Sequence, residues 1–339
     1  MNYLFSVLDQ IATTDSSYLA TIVKVEGSSY QKEGTCMVFN KDGSSTGLLS
    51  GGCLETDLYE RIKMQHPAFI SFSSNYDMRS EDDVSWGQGV GCNGSIRVVV
   101  ERLDETLKLN FSRAVYKLNN GKKVRLIKKL DLDFSVIDYL FICDDGDAFG
   151  SSSKLMAELN SCYERTSFTY NPSTHFYYFN QFFLPKPNLY IFGAGADVIP
   201  LVNLSTSSGF NVTVCDWRSA YCNREYFPSA NKLIIGNPIN IVQETSPSRN
   251  DLVVLMTHHY QKDKELIEIL LNRELGYLGI LGSLARSERL LENYQIPTWV
   301  HYPIGIPIKA KDPYEISISI LAELINVKNE ILNKEMTNV

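Results

Sequence analysis

This chain of 339 residues lacks three things: an apolar run near the roughly 20 residues that cross a bilayer, a cluster of basic side chains, and a regular cysteine spacing. The first absence leaves no membrane-spanning helix to expect. The second argues against nucleic acid as a partner, because phosphate backbones are held chiefly through clustered Lys and Arg. Here 32 basic residues face 39 acidic ones, a net charge of −7. The third concerns seven cysteines, at 36, 53, 92, 143, 162, 215 and 222. An odd and scattered set is no disulfide framework and suits a reducing compartment. Heptads and internal repeats are also missing. The first residues carry no basic n-region and meet Asp9 and Asp15 too early for a secretory signal, so a cytoplasmic protein is expected. What is present is an ordinary globular composition, 44% hydrophobic and 21% charged, long enough for two domains.

The boundary is expected at Leu184-Pro185-Lys186-Pro187-Asn188, because two prolines two apart disfavour helix and read as an extended linker. It divides the chain into residues 1–183 and 184–339. Beyond it, strands are expected at 189–192, 211–215 (ending at Asp216), 232–235, 252–256 and 277–281. Helices are expected at 196–208, about 263–272, 284–293 and 313 to about 332. Such alternation implies right-handed crossovers and a Rossmann-like parallel sheet. In the first half, 19–25, 35–39 and 95–101 read as strands and 53–64 as a helix. Residues 104–183 lean towards β with a helix near 152–160. The class expected is therefore α/β: an N-terminal α+β domain with a mixed sheet, then the parallel-sheet domain.

Phe192-Gly193-Ala194-Gly195 joins a strand to a helix as dinucleotide turns do. Gly193 permits the tight turn, Gly195 lets backbone approach a phosphate, and the helix N-terminus supplies N–H groups. Asp216 ends the next strand, where such folds bind a ribose hydroxyl, but it can equally pair with Arg218. Val198 replaces the third glycine. Thr257-His258-His259 and Gly282-Ser283 fall on the same sheet edge, where ligands of open α/β sheets bind, and Arg286 and Arg289 offer either an anion clamp or a solvated helix face.

Two further loops stand out. Ser50-Gly51-Gly52-Cys53-Leu54-Glu55 places a cysteine where a glycine turn enters a helix, whose N-terminal positive charge lowers a thiol pKa. Gly87 to Gly94 carries glycines at 87, 89, 91 and 94 around Cys92, exposing backbone N–H groups and a sulfur to a ligand. Thiolates suit soft metals, so Cys53 and Cys92 are candidate metal contacts. The alternative is that both are small buried residues in tight turns. The other five cysteines read as packing residues.

Taken together, these motifs resemble the XdhC/CoxI family of molybdenum-hydroxylase accessory proteins. The resemblance rests on Gly27-Ser28-Ser29-Tyr30 with Gly34 and Met37, on both glycine-cysteine loops, and on Phe192-Gly193-Ala194-Gly195 and Asp216-Trp217-Arg218. It continues through Met256-Thr257-His258 with Asp263, Leu281-Gly282-Ser283, Pro303-Ile304-Gly305 and the closing helix from Pro313 to Glu323. It implies a factor that binds molybdenum cofactor during exchange of an oxo for a sulfido ligand and delivers it to a xanthine dehydrogenase-like apo-enzyme. A cysteine desulfurase would be a second partner, and a homodimer the usual state. By the same resemblance Gly51, Gly52, Cys53, Glu55, Gly91, Cys92 and Gly94 would bind the cofactor's metal end. Gly193, Gly195, Asp216, Arg218, His258, Gly282 and Ser283 would hold a phosphate-bearing ligand. The chain departs from the family at Ala196, where relatives often carry histidine, at Cys36, where a basic residue is common, and along 306–309. Two readings compete with it: an NAD(P)-dependent oxidoreductase using Gly193, Gly195, Asp216 and His258, and a redox- or metal-sensing interaction protein.

Overall fold

The computed structural model describes residues 2–13, 16–51, 53–66, 69–79, 94–151, 155 and 165–335. They form two compact units, Met1–Pro185 and Lys186–Val339.

The first unit runs α1 (Asn2–Thr13), β1 (Ser16–Gly27), β2 (Cys36–Asn40), β3 (Ser45–Gly47), α2 (Cys53–Met64), β4 (Ser71–Asp77), β5 (Gly94–Arg102) and α3 (Glu105–Asn119). Five more strands follow: β6 (Val124–Leu130), β7 (Val136–Cys143), β8 (Ala148–Gly150), β9 (Ser167–Asn171) and β10 (Phe176–Phe183). The strands make two five-stranded sheets, ordered β3-β2-β1-β5-β4 and β8-β7-β6-β10-β9. Where a mixed sheet was expected, every described strand pair in both is antiparallel. The reason is local: β1 to β2 and β6 to β7 are joined by connections without a crossover helix, and parallel neighbours need one.

Helix α3 replaces the β-leaning start expected after residue 104. Asp104 caps it by accepting from the Leu107 N–H at 2.8 Å, and Leu107, Phe111, Ala114 and Leu118 form a buried stripe at helical spacing. That stripe closes one core together with Phe5, Leu8 and Ile11 of α1 and Leu126 and Phe141 of β6 and β7. The helix expected near 152–160 lies outside the described residues.

The second unit is a six-stranded parallel sheet of β11 (Asn188–Phe192), β12 (Asn211–Asp216), β13 (Lys232–Ile235), β14 (Leu252–Leu255), β15 (Tyr277–Ile280) and β16 (Val300–His301). Its order, β13-β12-β11-β14-β15-β16, reverses direction at β11, the doubly wound arrangement. Its helices are α4 (Val198–Ser207), α5 (Pro238–Thr245), α6 (Tyr260–Leu270), α7 (Leu284–Leu291) and α8 (Pro313–Glu335). Strand residues alternate between two cores. Leu189, Ile191, Val212, Val214, Leu252 and Val254 pack with Leu201, Ile320 and Leu324 of α4 and α8. Phe192, Cys215, Val253 and Leu255 pack with Val242, Leu266 and Leu290 of α5, α6 and α7. Burial on both faces is why these strands read as unbroken apolar runs. Helix α4 starts at Val198 rather than at Ala196, because Val198 N–H donates to the Gly195 carbonyl and keeps residues 195–198 in a turn. Helix α5 and strand β16 had no counterpart in the sequence pattern.

Candidate functional site

In the first unit the glycine-cysteine loop leads into α2, whose first residue is Cys53. Glu55, buried in the first turn of α2, reaches back so that its Oε1 accepts from the N–H groups of Leu49 (3.0 Å) and Ser50 (2.6 Å). The Gly51 N–H in turn donates to Ser50 Oγ at 2.5 Å. A side chain at Gly51 would meet no atom of the described residues within 4 Å, and Gly51 itself is exposed. Glu55, expected as a cofactor ligand, is thus the brace of the loop that carries Cys53. Removing it frees two N–H groups next to the helix entry. Glu55→Ala should lower the unfolding free energy by about 1–3 kcal/mol, read from denaturant curves, since a buried donor left unpaired costs that much.

Gly94 has a packing role. It opens β5 opposite Gly27, and a Cβ there would lie 2.8 Å from the Ser28 nitrogen and overlap the Glu26 and Ser28 carbonyl oxygens. The glycine permits the close pairing of β5 with the end of β1. Gly52, Gly91, Cys92 and Cys162 lie outside the described residues. Cys36, Cys143, Cys215 and Cys222 are buried free thiols, and burial pushes each of their pKa values up, which keeps them protonated. Cys36 also accepts from Gln181 Nε2 at 3.3 Å.

Close to Cys36 lies a group that patterning did not reveal. Lys128 of β6 and Glu101 of β5 form an ion pair inside the unit, with 0% and 3% of each residue exposed.

In the second unit the C-terminal ends of β11, β12, β14 and β15 bring together most of the residues expected there. Gly193 has φ +125° and its N–H donates to the Cys215 carbonyl, while Met256 N–H donates to the Phe192 carbonyl. The Asp216 carboxylate is fully engaged: Oδ2 accepts from the Ala194 N–H (2.8 Å) and Arg218 Nη2 (2.8 Å), and Oδ1 from Arg218 Nε (3.0 Å) and N–H (2.8 Å). Of the two roles open to Asp216, the structure displays the pairing with Arg218, whose guanidinium also lies 4.8 Å from the Trp217 ring and 4.7 Å from Tyr221.

The two histidines part company. His259 caps α6, its Nδ1 accepting from the Lys262 N–H, and its ring meets Trp217 edge-on at 5.9 Å. His258 adopts a left-handed backbone (φ +56°) and places Nε2 2.7 Å from Asp197 Oδ2. Asp197 was not expected from the sequence because it falls within the apparent start of a helix.

Gly282, at φ +150°, and Ser283, which caps α7 by accepting from the Arg286 N–H, follow β15 at the same edge, where a buried carboxylate also sits. Asp263 accepts from Thr257 Oγ1 (2.5 Å) and from Arg286 Nη2 (2.6 Å), so Arg286 is a brace rather than a free anion clamp. Arg289 lies 5.6 Å from the Tyr260 ring. Further along, Glu323 accepts from Tyr277 Oη (2.6 Å) and the Gly305 N–H (2.7 Å) and pairs with His301 Nδ1 (2.8 Å). Among the described residues no three His, Cys, Asp or Glu side chains assemble into a metal site, and no helix is long and apolar enough to cross a membrane.

Comparison with known proteins yields three family matches: the XdhC Rossmann domain over residues 189–324, the BH1974-like central domain over 105–184, and the XdhC and CoxI family over 11–65. A Bacillus subtilis protein described as a probable xanthine dehydrogenase component is 40% identical over 321 residues, covering 94% of each chain. The Escherichia coli molybdenum cofactor insertion chaperone PaoD is 21% identical over 330 residues, 95% of this chain and 86% of that one. The crystal structure of a xanthine dehydrogenase from Bacillus halodurans superimposes with a TM-score of 0.85 at 40% identity, over 97% of this chain and 96% of the other.

Proposed function

The chain belongs to the XdhC and CoxI family, and from that premise we propose that it is an accessory protein of a xanthine dehydrogenase-type molybdenum hydroxylase. In this reading it binds molybdenum cofactor as cargo, supports its sulfuration and inserts it into the apo-enzyme. A cysteine desulfurase and the hydroxylase are its partners, and it works as a homodimer in the cytoplasm. The named chaperone among its relatives supports the reading over nearly the whole length of this chain.

The observation that carries it is the placing of Cys53. It opens a 12-residue helix, and the segment at Leu49 and Ser50 ahead of it is braced by Glu55 from the first turn of that helix, with Gly51 exposed. A thiol at a helix N-terminus is biased towards the thiolate, the soft donor that molybdenum and its sulfur ligands favour. A braced turn holds that position without further ordering cost. Cys92 is the second proposed sulfur contact.

The test uses Cys53→Ala and Cys92→Ala in the full chain. Each variant should keep the wild-type unfolding midpoint, bind added molybdenum cofactor at least about tenfold more weakly, a loss of about 1.4 kcal/mol, and mature less active hydroxylase. Full maturation by the double variant would remove both cysteines from the role. Normal hydroxylase activity in cells lacking the protein would remove the role itself.

A further inference from the structure

The turn at Gly193 has the outline of a dinucleotide site, and its chemistry runs the other way. In such sites the second glycine leaves room for a pyrophosphate, and the first turn of the following helix supplies free N–H groups. Here the room over Gly195 is taken: a Cβ on Gly195 would overlap Asp197 Oδ1, so the Asp197 carboxylate covers the face that the missing side chain leaves open. Four of the nearby N–H groups are taken as well. Gly193 N–H donates to the Cys215 carbonyl, Ala194 N–H to Asp216, Val198 N–H to the Gly195 carbonyl and Ile199 N–H to the Ala196 carbonyl. Pro200, third in α4, has no N–H at all. The ribose-binding acid is equally engaged, with Arg218 and Ala194 filling Asp216.

Asp197 is not spent on capping its own helix, since its side chain makes no cap hydrogen bond. It is held instead by His258, the residue after Thr257, at 2.7 Å. His258 reaches it from a left-handed backbone conformation that costs a non-glycine residue on the order of 1 kcal/mol or more. Two independent features, the carboxylate over Gly195 and the strained histidine that anchors it, converge on one point.

We infer that Asp197 is the specificity residue of this sheet edge: anchored by His258, it closes the Gly193–Gly195 turn to nucleotides that carry a diphosphate. A diphosphate brought to this turn meets the Asp197 negative charge a few ångströms away, with the Gly193, Ala194, Val198 and Ile199 N–H groups already engaged, and a like-charge approach of that kind costs several-fold to many-fold in affinity. The inference does not depend on the maturation role, because its readout is nucleotide binding by the purified protein alone.

The experiment is calorimetric titration of the full chain with NADH, NADPH and inorganic pyrophosphate. Wild type should show no saturable binding of any of the three. Asp197→Asn and Asp197→Ser both remove the charge at a position whose side chain makes no cap hydrogen bond, so α4 should start where it does now. Each is checked by its unfolding midpoint. Combining either with Pro200→Ala restores one N–H donor at the helix start. A folded Asp197 variant, alone or with Pro200→Ala, should bind NADH or pyrophosphate at least about tenfold tighter than the wild-type detection limit, about 1.4 kcal/mol. Saturable NADH or NADPH binding by wild type overturns the inference. So does the absence of any gain in folded Asp197→Asn and Asp197→Ser, singly and with Pro200→Ala.

Discussion

Lys128→Met should lower the unfolding free energy of the first unit by about 3–5 kcal/mol. The substitution keeps volume and apolar reach, so the loss is electrostatic. It leaves the Glu101 carboxylate, 3% exposed, without the ammonium that compensates its desolvation. Neighbouring Cys36 and Gln181 cannot take the place of that ammonium: Cys36 is a protonated thiol, and Gln181 Nε2 already donates to the Gly34 carbonyl at 2.6 Å. The pair itself contributes far less than its rupture costs, because two charges removed from water regain little more than they lost. Lys128→Met combined with Glu101→Leu should therefore recover most of the stability. Denaturant curves of the two single variants and the double variant form the cycle. A single-variant loss under about 1 kcal/mol would mean that the carboxylate finds water, and the buried-pair account would be wrong.

Gly193→Ala should destabilise the second unit by more than about 3 kcal/mol. Two costs add. At φ +125° an L side chain is strained wherever it sits, and this Cβ would lie 2.6 Å from the Met256 carbonyl carbon and 3.1 Å from the Thr257 nitrogen. Both neighbours are backbone and cannot swing aside. The end of β14 would have to retreat from β11, taking the Thr257–His259 loop with it. Gly51→Ala is the matched control, since its Cβ would meet nothing among the described residues within 4 Å, and its effect should stay within about 0.5 kcal/mol. Thermal unfolding of the two variants side by side checks both figures.

These contrasts also mark how far the residues could be read before the fold was known. Helix α2 and strand β13 begin and end where the pattern placed them, because each is bounded by its own turn residues and carries one unambiguous period. Helix α3 was missed although Asp104 and the Leu107, Phe111, Ala114, Leu118 stripe were visible. The stretch also holds Phe111, Val115 and Tyr116, and the β-rich sequence after it drew the whole region towards strand. Helix α5 has a cap at Asn237 and a proline at its first position, but eight residues are too few to show a period. The pairing of Asp216 with Arg218 lay within reach, being two residues apart at a strand end. The pairing of Asp197 with His258 did not, since 61 residues separate them and only the order β11-β14 in the sheet makes them neighbours. Lys128 sits beside Lys129 in a strand, where a pair of lysines ordinarily signals a solvated face.

The Asp263 carboxylate ties Thr257, in the loop after β14, to Arg286, in the helix after β15. Three positions from three segments therefore share one set of bonds. Arg286 is also bound to the Leu281 carbonyl, so a change at any of them is felt where β15 ends. For a lineage drifting under mutation, these sites do not vary one at a time. Loss of Thr257 leaves half of a buried acid bare, and loss of Arg286 leaves the other half. The cost of a replacement at any of the three positions therefore depends on which residues stand at the other two, and paired changes here should not add.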